Sequence, residues 1–296
     1  MVGGDVTPAE FAMLCEIASD LGCTHLKLTG GEPTVRRDLA DIVERCAPFF
    51  DDVSMTTNGL LLSAQAERLA AAGLDRVNVS LDTLDNDKYR EVTGGGDVSR
   101  VVAGIRAARD AGLSPVKVNM VVLKGFNVDE VPAMMAFARA EGAELQLIEL
   151  HTDRTNAAGI DFQRMFVSLD AIEAGIAKEA LRVERAHQHG RPRYVVLCAD
   201  HREGLAESVI EVVRPFGNPD FCSDCQRMRL TGDGRLKPCL MRMDNYVDIL
   251  GPLRAGASRE TLTQVFLEAN RRRAPYWFTR EGPEAVRSPR ALPVLN

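Results

Sequence analysis

Leu74-Asp-Arg-Val-Asn-Val-Ser-Leu-Asp82 decides how this chain is read. The run is short and apolar and ends in polar residues, as a strand does when its carboxyl end faces a ligand. Working outward, a helical period over 63–72 precedes it and two helical pieces over about 85–111 follow. The same unit recurs on both sides. A helix at about 8–22 leads into a strand at 24–29, and a helix at about 37–47 leads into a strand at 52–56. Beyond the central run come a strand at 115–122, a helix at about 128–141 and a strand at 144–150. Five β-rich runs alternating with helical periods predict an α/β fold, with βα units on a parallel sheet that is open or curled into a barrel. Because the chain opens on a helix feeding the 24–29 strand, the layout predicts that an earlier strand, in a natural N-terminal segment, is missing from that edge.

The pattern changes after Leu150. Residues 151–164 are polar and irregular, and Ser168 reads as the N-cap of a helix over about 169–179. Short strands are expected at 193–197 and 208–213, and a last helix at about 259–270. This divides the chain into a barrel region over 1–150, an appended region over 151–278 and an aperiodic tail over 279–296 expected to be flexible.

The 296 residues are 45% hydrophobic and 26% charged with a net charge of −6, a balance that points to neither nucleic acid nor membrane as partner. No apolar stretch reaches the ~20 residues of a membrane span, and the first residues lack the basic and apolar regions of a signal peptide. The expected location is the cytoplasm, where seven cysteines suit metal binding or inert burial better than disulfides. Cys15, Cys23, Cys46 and Cys198 read as small buried residues. Cys222-x2-Cys225-x13-Cys239 does not. Three thiolates beside Arg227 and Arg229 suit a metal or iron–sulfur site next to an anion, and a three-ligand site keeps one position open. Spacing leaves zinc and iron–sulfur equally open, with His187, His189 or His201 as a fourth ligand for zinc.

Polar residues recur at the strand ends. In Thr29-Gly30-Gly31-Glu32-Pro33 the two glycines allow close backbone approach to a ligand, and Glu32 can accept hydrogen bonds. Thr56-Thr-Asn-Gly59, Ser80-Leu-Asp82 and Lys117-Val-Asn119 occupy equivalent places in the next units. Lys27 interrupts the Leu26/Leu28 alternation and faces away from those leucines.

Leu26-Lys-Leu-Thr-Gly-Gly-Glu-Pro-Thr-Val-Arg-Arg-Asp38, Thr56–Gly59, Arg76–Asp82, Val116–Asn119 and the Cys222–Leu240 block occur together in this order. In this the chain resembles the GTP 3′,8-cyclase family of radical S-adenosylmethionine enzymes in molybdenum-cofactor biosynthesis, and Lys237–Leu250 looks most like its archaeal members. The resemblance implies a partial (β/α)6 barrel with its first strand missing here, plus a C-terminal cluster-binding extension. It implies two [4Fe–4S] clusters. Cys222, Cys225 and Cys239 would hold the C-terminal one, whose open iron contacts the guanine of GTP. Gly31, Ser80 and His151, with Gly30 and Glu32, would meet S-adenosylmethionine. Lys27, Thr56, Lys117, Arg227, Met228 and Arg229 would meet GTP. The implied reaction joins ribose C3′ to guanine C8 through a 5′-deoxyadenosyl radical, giving (8S)-3′,8-cyclo-7,8-dihydroguanosine 5′-triphosphate. A reductant protein and a downstream pterin synthase are the implied partners, and a homodimer is allowed.

The chain departs from the family at three points. The Cys-x3-Cys-x2-Cys motif of the radical-generating cluster would fall just before residue 1, so the chain as given is expected to be inactive. His151 stands where the family often has Met, and the tail ends in Leu-Pro-Val-Leu-Asn rather than Gly-Gly. A non-catalytic GTP-binding relative and a zinc-stabilised α/β domain are the competing readings.

Overall fold

The computed structural model describes residues 5–153, 156–185, 191–200, 204–223 and 225–276. Helix α1 (Pro8–Asp20) starts at a capping box: the Thr7 hydroxyl accepts from the Glu10 amide, and the Glu10 carboxylate accepts from the Thr7 amide. Strand β1 (His25–Leu28) follows, then α2 (Leu39–Cys46), β2 (Asp52–Thr57), α3 (Ala66–Ala71) and β3 (Arg76–Ser80). The long helical region divides into α4 (Asn86–Thr93) and α5 (Val98–Asp110). Gly94 ends α4 in the left-handed region, and the Asp97 side chain caps α5. Then come β4 (Val116–Val122), α6 (Val131–Ala140) and β5 (Glu144–Glu149). All five expected strands form, with ends moved by one residue at most; β1 is a residue shorter at each end.

The second half holds α7 (Ile160–Met165), α8 (Asp170–Glu179), β6 (Arg182–Arg185), β7 (Pro192–Asp200) and β8 (Gly204–Val213). Ser168 accepts from the Asp170 amide at 3.2 Å, one residue before the position that caps α8. The sheet order is β1-β2-β3-β4-β5-β8-β7-β6. The pairs from β1 through β5 to β8 are parallel, and β8-β7 and β7-β6 are antiparallel. A sixth parallel strand therefore joins the five foreseen, and the sheet runs on past residue 150. The sequence hid this because β8 is separated from β5 by the irregular stretch and a hairpin partner, not by one crossover helix. Strand β1 forms one edge of the sheet.

Alternation along the strands separates two faces. Val53, Met55, Val77, Val79, Val116, Val118, Met120, Leu145 and Leu147 face the helices and are buried in the main core. The other face is polar. Lys27, Ser54 and Arg76 lie in register; so do Asn78, Lys117 and Glu144; so do Asn119, Gln146, Glu211 and Arg193. A sheet face built for packing would not carry these groups, since each must find a partner to repay desolvation.

The last elements are α9 (Pro219–Ser223), β9 (Arg229–Leu230), β10 (Arg235–Lys237), β11 (Val247–Asp248), α10 (Leu250–Arg254) and α11 (Arg259–Arg271). The three short strands make a separate antiparallel sheet. It shares a second core with α1 and α11, made of Leu14, Ile17, Leu236, Ile249, Leu262, Phe266 and Ala269. Ion pairs from Arg254 of α10 to Glu10 and from Arg259 of α11 to Glu16 and Asp20 fasten both helices to α1.

Candidate active site

The functional residues fall in three layers along the strand axis. At the carboxyl ends, Gly30 takes φ +130, and a Cβ placed on Gly30 or Gly31 would meet nothing within 4 Å, so the bare backbone borders open space. Glu32 does not point there. Its Oε1 accepts from the Thr34 amide at 3.0 Å, the Thr34 hydroxyl at 2.5 Å and the Thr57 hydroxyl at 2.7 Å. Its Oε2 accepts from the Asn58 amide at 2.7 Å. The Glu32 carboxylate thus fastens the loop after β1 to the loop after β2. Ser80 is exposed at the end of β3, and nearby Asp82 accepts from the Val121 amide while burial pushes its carboxyl up. His151 keeps an accessible edge. Desolvation still lowers its imidazole, partly offset by a hydrogen bond to the Glu149 backbone.

Roughly 10 Å down β1, at three residues of ~3.3 Å each, the amino halves of the strands carry a charged layer. Lys117 lies 2.9 Å from Glu144 and 2.6 Å from Glu211. Arg193 bonds to Glu144 and lies 3.3 Å from Glu211, whose other oxygen accepts from Gln146 at 2.7 Å. Burial raises the Glu211 carboxyl, but Lys117 and its other partners outweigh it and leave the group below its ordinary range. Two cations and two carboxylates here balance, so Lys117, expected to meet GTP, is already matched. Thr56 lies on the same face, in register with Asn78.

Lys27 is different. Burial pushes its ammonium down to about 8; Arg76, Arg227 and Lys117 repel it, and Asp52 opposes them. Asp52 is itself held in a two-bonded pair with Arg76 at 2.5 and 2.7 Å. More than a third of Lys27 is still reached by solvent. Lys27 is thus crowded by protein on one side and open to solvent on the other, at the edge strand of the sheet. Arg191 adds to the cationic side. Burial lowers its guanidinium, Glu211 attracts it and Arg227 repels it, and its Nε is buried without a hydrogen-bond partner among the described residues.

The third layer holds the cysteines. Cys222 and Cys225 are joined by a tight turn at the end of α9, with the Cys225 amide donating to the Cys222 carbonyl at 3.2 Å. The x13 gap is one hairpin. Arg229 pairs with Lys237 across β9 and β10, which brings the chain on either side, Cys225 and Cys239, toward the same end. Both thiols act on Arg229 and on Arg273. Met228 packs its side chain on the second core, fixing Arg227 and Arg229 to either side. Arg227 faces Lys27 and Arg191, while Arg229 faces Cys225 and Cys239. Among the described residues, no three His, Cys, Asp or Glu side chains are spaced to hold a metal ion. His187, His189 and His201 lie outside the described residues. None of the described cysteines is in a disulfide; Cys15 and Cys46 are buried against each other between α1 and α2, and burial pushes up the thiol of Cys23.

The glycine loop, the polar face of the strands and the tri-cysteine hairpin are what the comparisons with known proteins bear on. The chain is 42% identical to a protein of Thermoplasma volcanium over 93% of its own length and 82% of that protein's, and 45% identical to one of Pyrococcus horikoshii over 92% and 86%. Both carry the name probable GTP 3′,8-cyclase. The chain belongs to the GTP 3′,8-cyclase family. The radical SAM superfamily model matches residues 2–138 and the molybdenum cofactor synthesis C model matches residues 143–279. Among solved structures, SuiB of Streptococcus suis bound to S-adenosylmethionine aligns with a TM-score of 0.54 at 16% identity, over 81% of this chain and 55% of that one. That likeness supports the radical-SAM-type α/β fold of this family member. Sequence reasoning missed Arg76, Glu144, Arg191, Arg193, Glu211 and Arg273. Glu144, Arg193 and Glu211 share one signal, a charged residue at the inward phase of an apolar strand.

Proposed function

We propose that this protein cyclises GTP between ribose C3′ and guanine C8 in molybdopterin biosynthesis, with GTP lying in the chamber between the Gly30–Gly31 loop and the cysteines. The observation that carries this is the run of cations from Lys27 through Arg227 and Arg191 to Arg229, with guanidinium nitrogens of Arg191 and Arg229 buried and unpartnered among the described residues. Buried donors without acceptors are costly, and a triphosphate supplies acceptors of the charge-assisted kind. Lys27, Arg227 and Arg191 hold the phosphates; Thr56 lies on the same face to accept or donate to the sugar. Lys117, neutralised by Glu144 and Glu211, shapes the wall of the chamber.

The three thiolates fit an iron–sulfur cluster better than a single ion. Their donor set is soft, and the guanidinium groups of Arg229 and Arg273 beside them offset its negative charge. Cys222, Cys225 and Cys239 would hold a [4Fe–4S] cluster, which supplies an iron without a protein ligand for guanine to bind. The open backbone at Gly30 and Gly31, with Ser80 and the backbone at His151, suits S-adenosylmethionine. The residues of this chain do not fit a second cluster there: Cys15 and Cys46 are buried between helices, and Cys23 stands at the amino end of β1. Their part is to bind and orient GTP and to keep water from the ribose. A cytoplasmic reductant protein and a downstream pterin synthase belong to the same reading.

Anaerobic reconstitution with iron and sulfide, followed by metal analysis and GTP titration, tests it. The expected result is about four irons per chain with GTP binding, and loss of the iron in Cys239→Ser. Zinc without sulfide, or GTP binding unaffected by Lys27→Met, would remove the reading.

A further inference from the structure

Arg273 has no role in the substrate chamber and yet is buried, with only 7% of its surface exposed. It follows the end of α11, where its amide bonds to the Asn270 carbonyl. Its Nη1 donates to the backbone carbonyl of Cys225 at 3.2 Å. Its Nε and Nη2 are buried and have no hydrogen-bond partner among the described residues. The charged groups that face it are the thiols of Cys225, Cys23 and Cys239, and Arg229 on the far side of the same cysteines. No carboxylate among the described residues pairs with it. An arginine is almost never buried unless paired, and an unpaired one is strongly destabilising. The position makes sense when negative charge sits at the cysteines.

We propose that Arg273 is a positioning residue for the tri-cysteine cluster: it fixes the Cys225 carbonyl through Nη1 and offers Nε and Nη2 to the sulfur atoms held there, setting the charge balance of the cluster. This rests on the iron–sulfur reading of Cys222, Cys225 and Cys239. A [4Fe–4S] unit in its 2+ state with three thiolates carries a net −1, and one added electron makes it −2. A fixed guanidinium at contact distance in a poorly hydrated site favours the more negative state. Arg273 therefore raises the reduction potential, and removing it makes the cluster harder to reduce.

The test is a redox titration with dithionite, followed by electron paramagnetic resonance, on the anaerobically reconstituted full chain and its Arg273→Met and Arg273→Lys variants. Arg273→Met is expected to shift the midpoint to more negative potential and to change the reduced-state spectrum. Arg273→Lys, which keeps the charge and loses the planar fork, is expected to restore part of the potential but not the spectrum. If Arg273→Met fails to fold by circular dichroism, the Lys variant alone decides by its spectrum. Wild-type potential and spectrum in a folded, iron-loaded Met variant, or in the Lys variant when only that folds, would overturn the inference. A wild-type chain that takes up no iron and sulfide would remove the cluster reading itself, which is a different result.

Discussion

Raising the pH from 7 to 9 should weaken GTP binding through one side chain, Lys27. In the unliganded chamber its ammonium is pushed down to about 8, first by burial and then by Arg76, Arg227 and Lys117. A triphosphate beside it restores the ordinary preference for the charged form, so binding takes up a proton whenever Lys27 starts neutral. The sign follows: affinity is full below about 8 and is lost as pH rises through that value. With a free-state pKa of about 8, the lysine is roughly nine-tenths charged at pH 7 and one-tenth at pH 9, which makes binding ~10-fold weaker, or ~1.4 kcal/mol. Solvent reaches more than a third of the residue, so screening reduces the expected loss to about three- to tenfold. Calorimetric titration of GTP at fixed ionic strength, in buffers of different ionisation enthalpy, measures both the affinity and the proton taken up. Lys27→Met should bind more weakly at pH 7 and lose this pH dependence. An identical slope in wild type and Lys27→Met, or no proton uptake at pH 9, would refute the reasoning.

Glu211→Gln strips one carboxylate from Lys117 and Arg193, and breaking a buried pair of this kind should cost about 3–5 kcal/mol, read as a fall in denaturant midpoint. Because its carboxyl is depressed in the folded chain, the wild-type advantage should be present above the ordinary carboxylate pKa and vanish as pH falls through the lower folded value. Gly104→Ala on α5 would bring a Cβ within 2.5 Å of the Gly59 carbonyl and 3.1 Å of Leu62, so α5 must back away; a loss of ~1–3 kcal/mol is expected, without change in iron uptake. Arg191→Met should weaken GTP binding with little loss of stability, because it removes a buried guanidinium whose Nε is unpartnered; unchanged affinity in calorimetry would take Arg191 out of the phosphate site.

The alternation of helix and strand made the first five βα units legible, because each unit closes locally and its apolar phase is unbroken from Val53 to Leu147. What lay beyond was set by pairings remote in sequence. Strand β8 joins β5 across 65 residues of sequence, as Leu145 opposite Ile210 shows, and no local period announces it. The tri-cysteine motif was legible as spacing, but its shape depends on the β9–β10 hairpin, whose strands are too short to show alternation. Glu32 illustrates the opposite error. Its motif suggests a ligand loop, yet its carboxylate bonds to Thr34, Thr57 and Asn58 and joins two loops of the scaffold. Arg191 and Arg273 carried no signal in the sequence, because burial of a long side chain is decided by what folds over it.

Helix α1 gives Leu14 and Ile17 to the second core, whose other members begin at Leu236 and end at Ala269. During synthesis, α1 leaves the ribosome well before its partners on α11, which come roughly 250 residues later, a delay of roughly 12–50 s at about 5–20 residues per second. Through that interval the barrel strands can pair while one stripe of α1 stays wet. Closing it sets the Cys222–Cys239 hairpin against the barrel; on the iron–sulfur reading proposed above, delivery of iron and sulfide to the cysteines would follow the docking of α11 on α1.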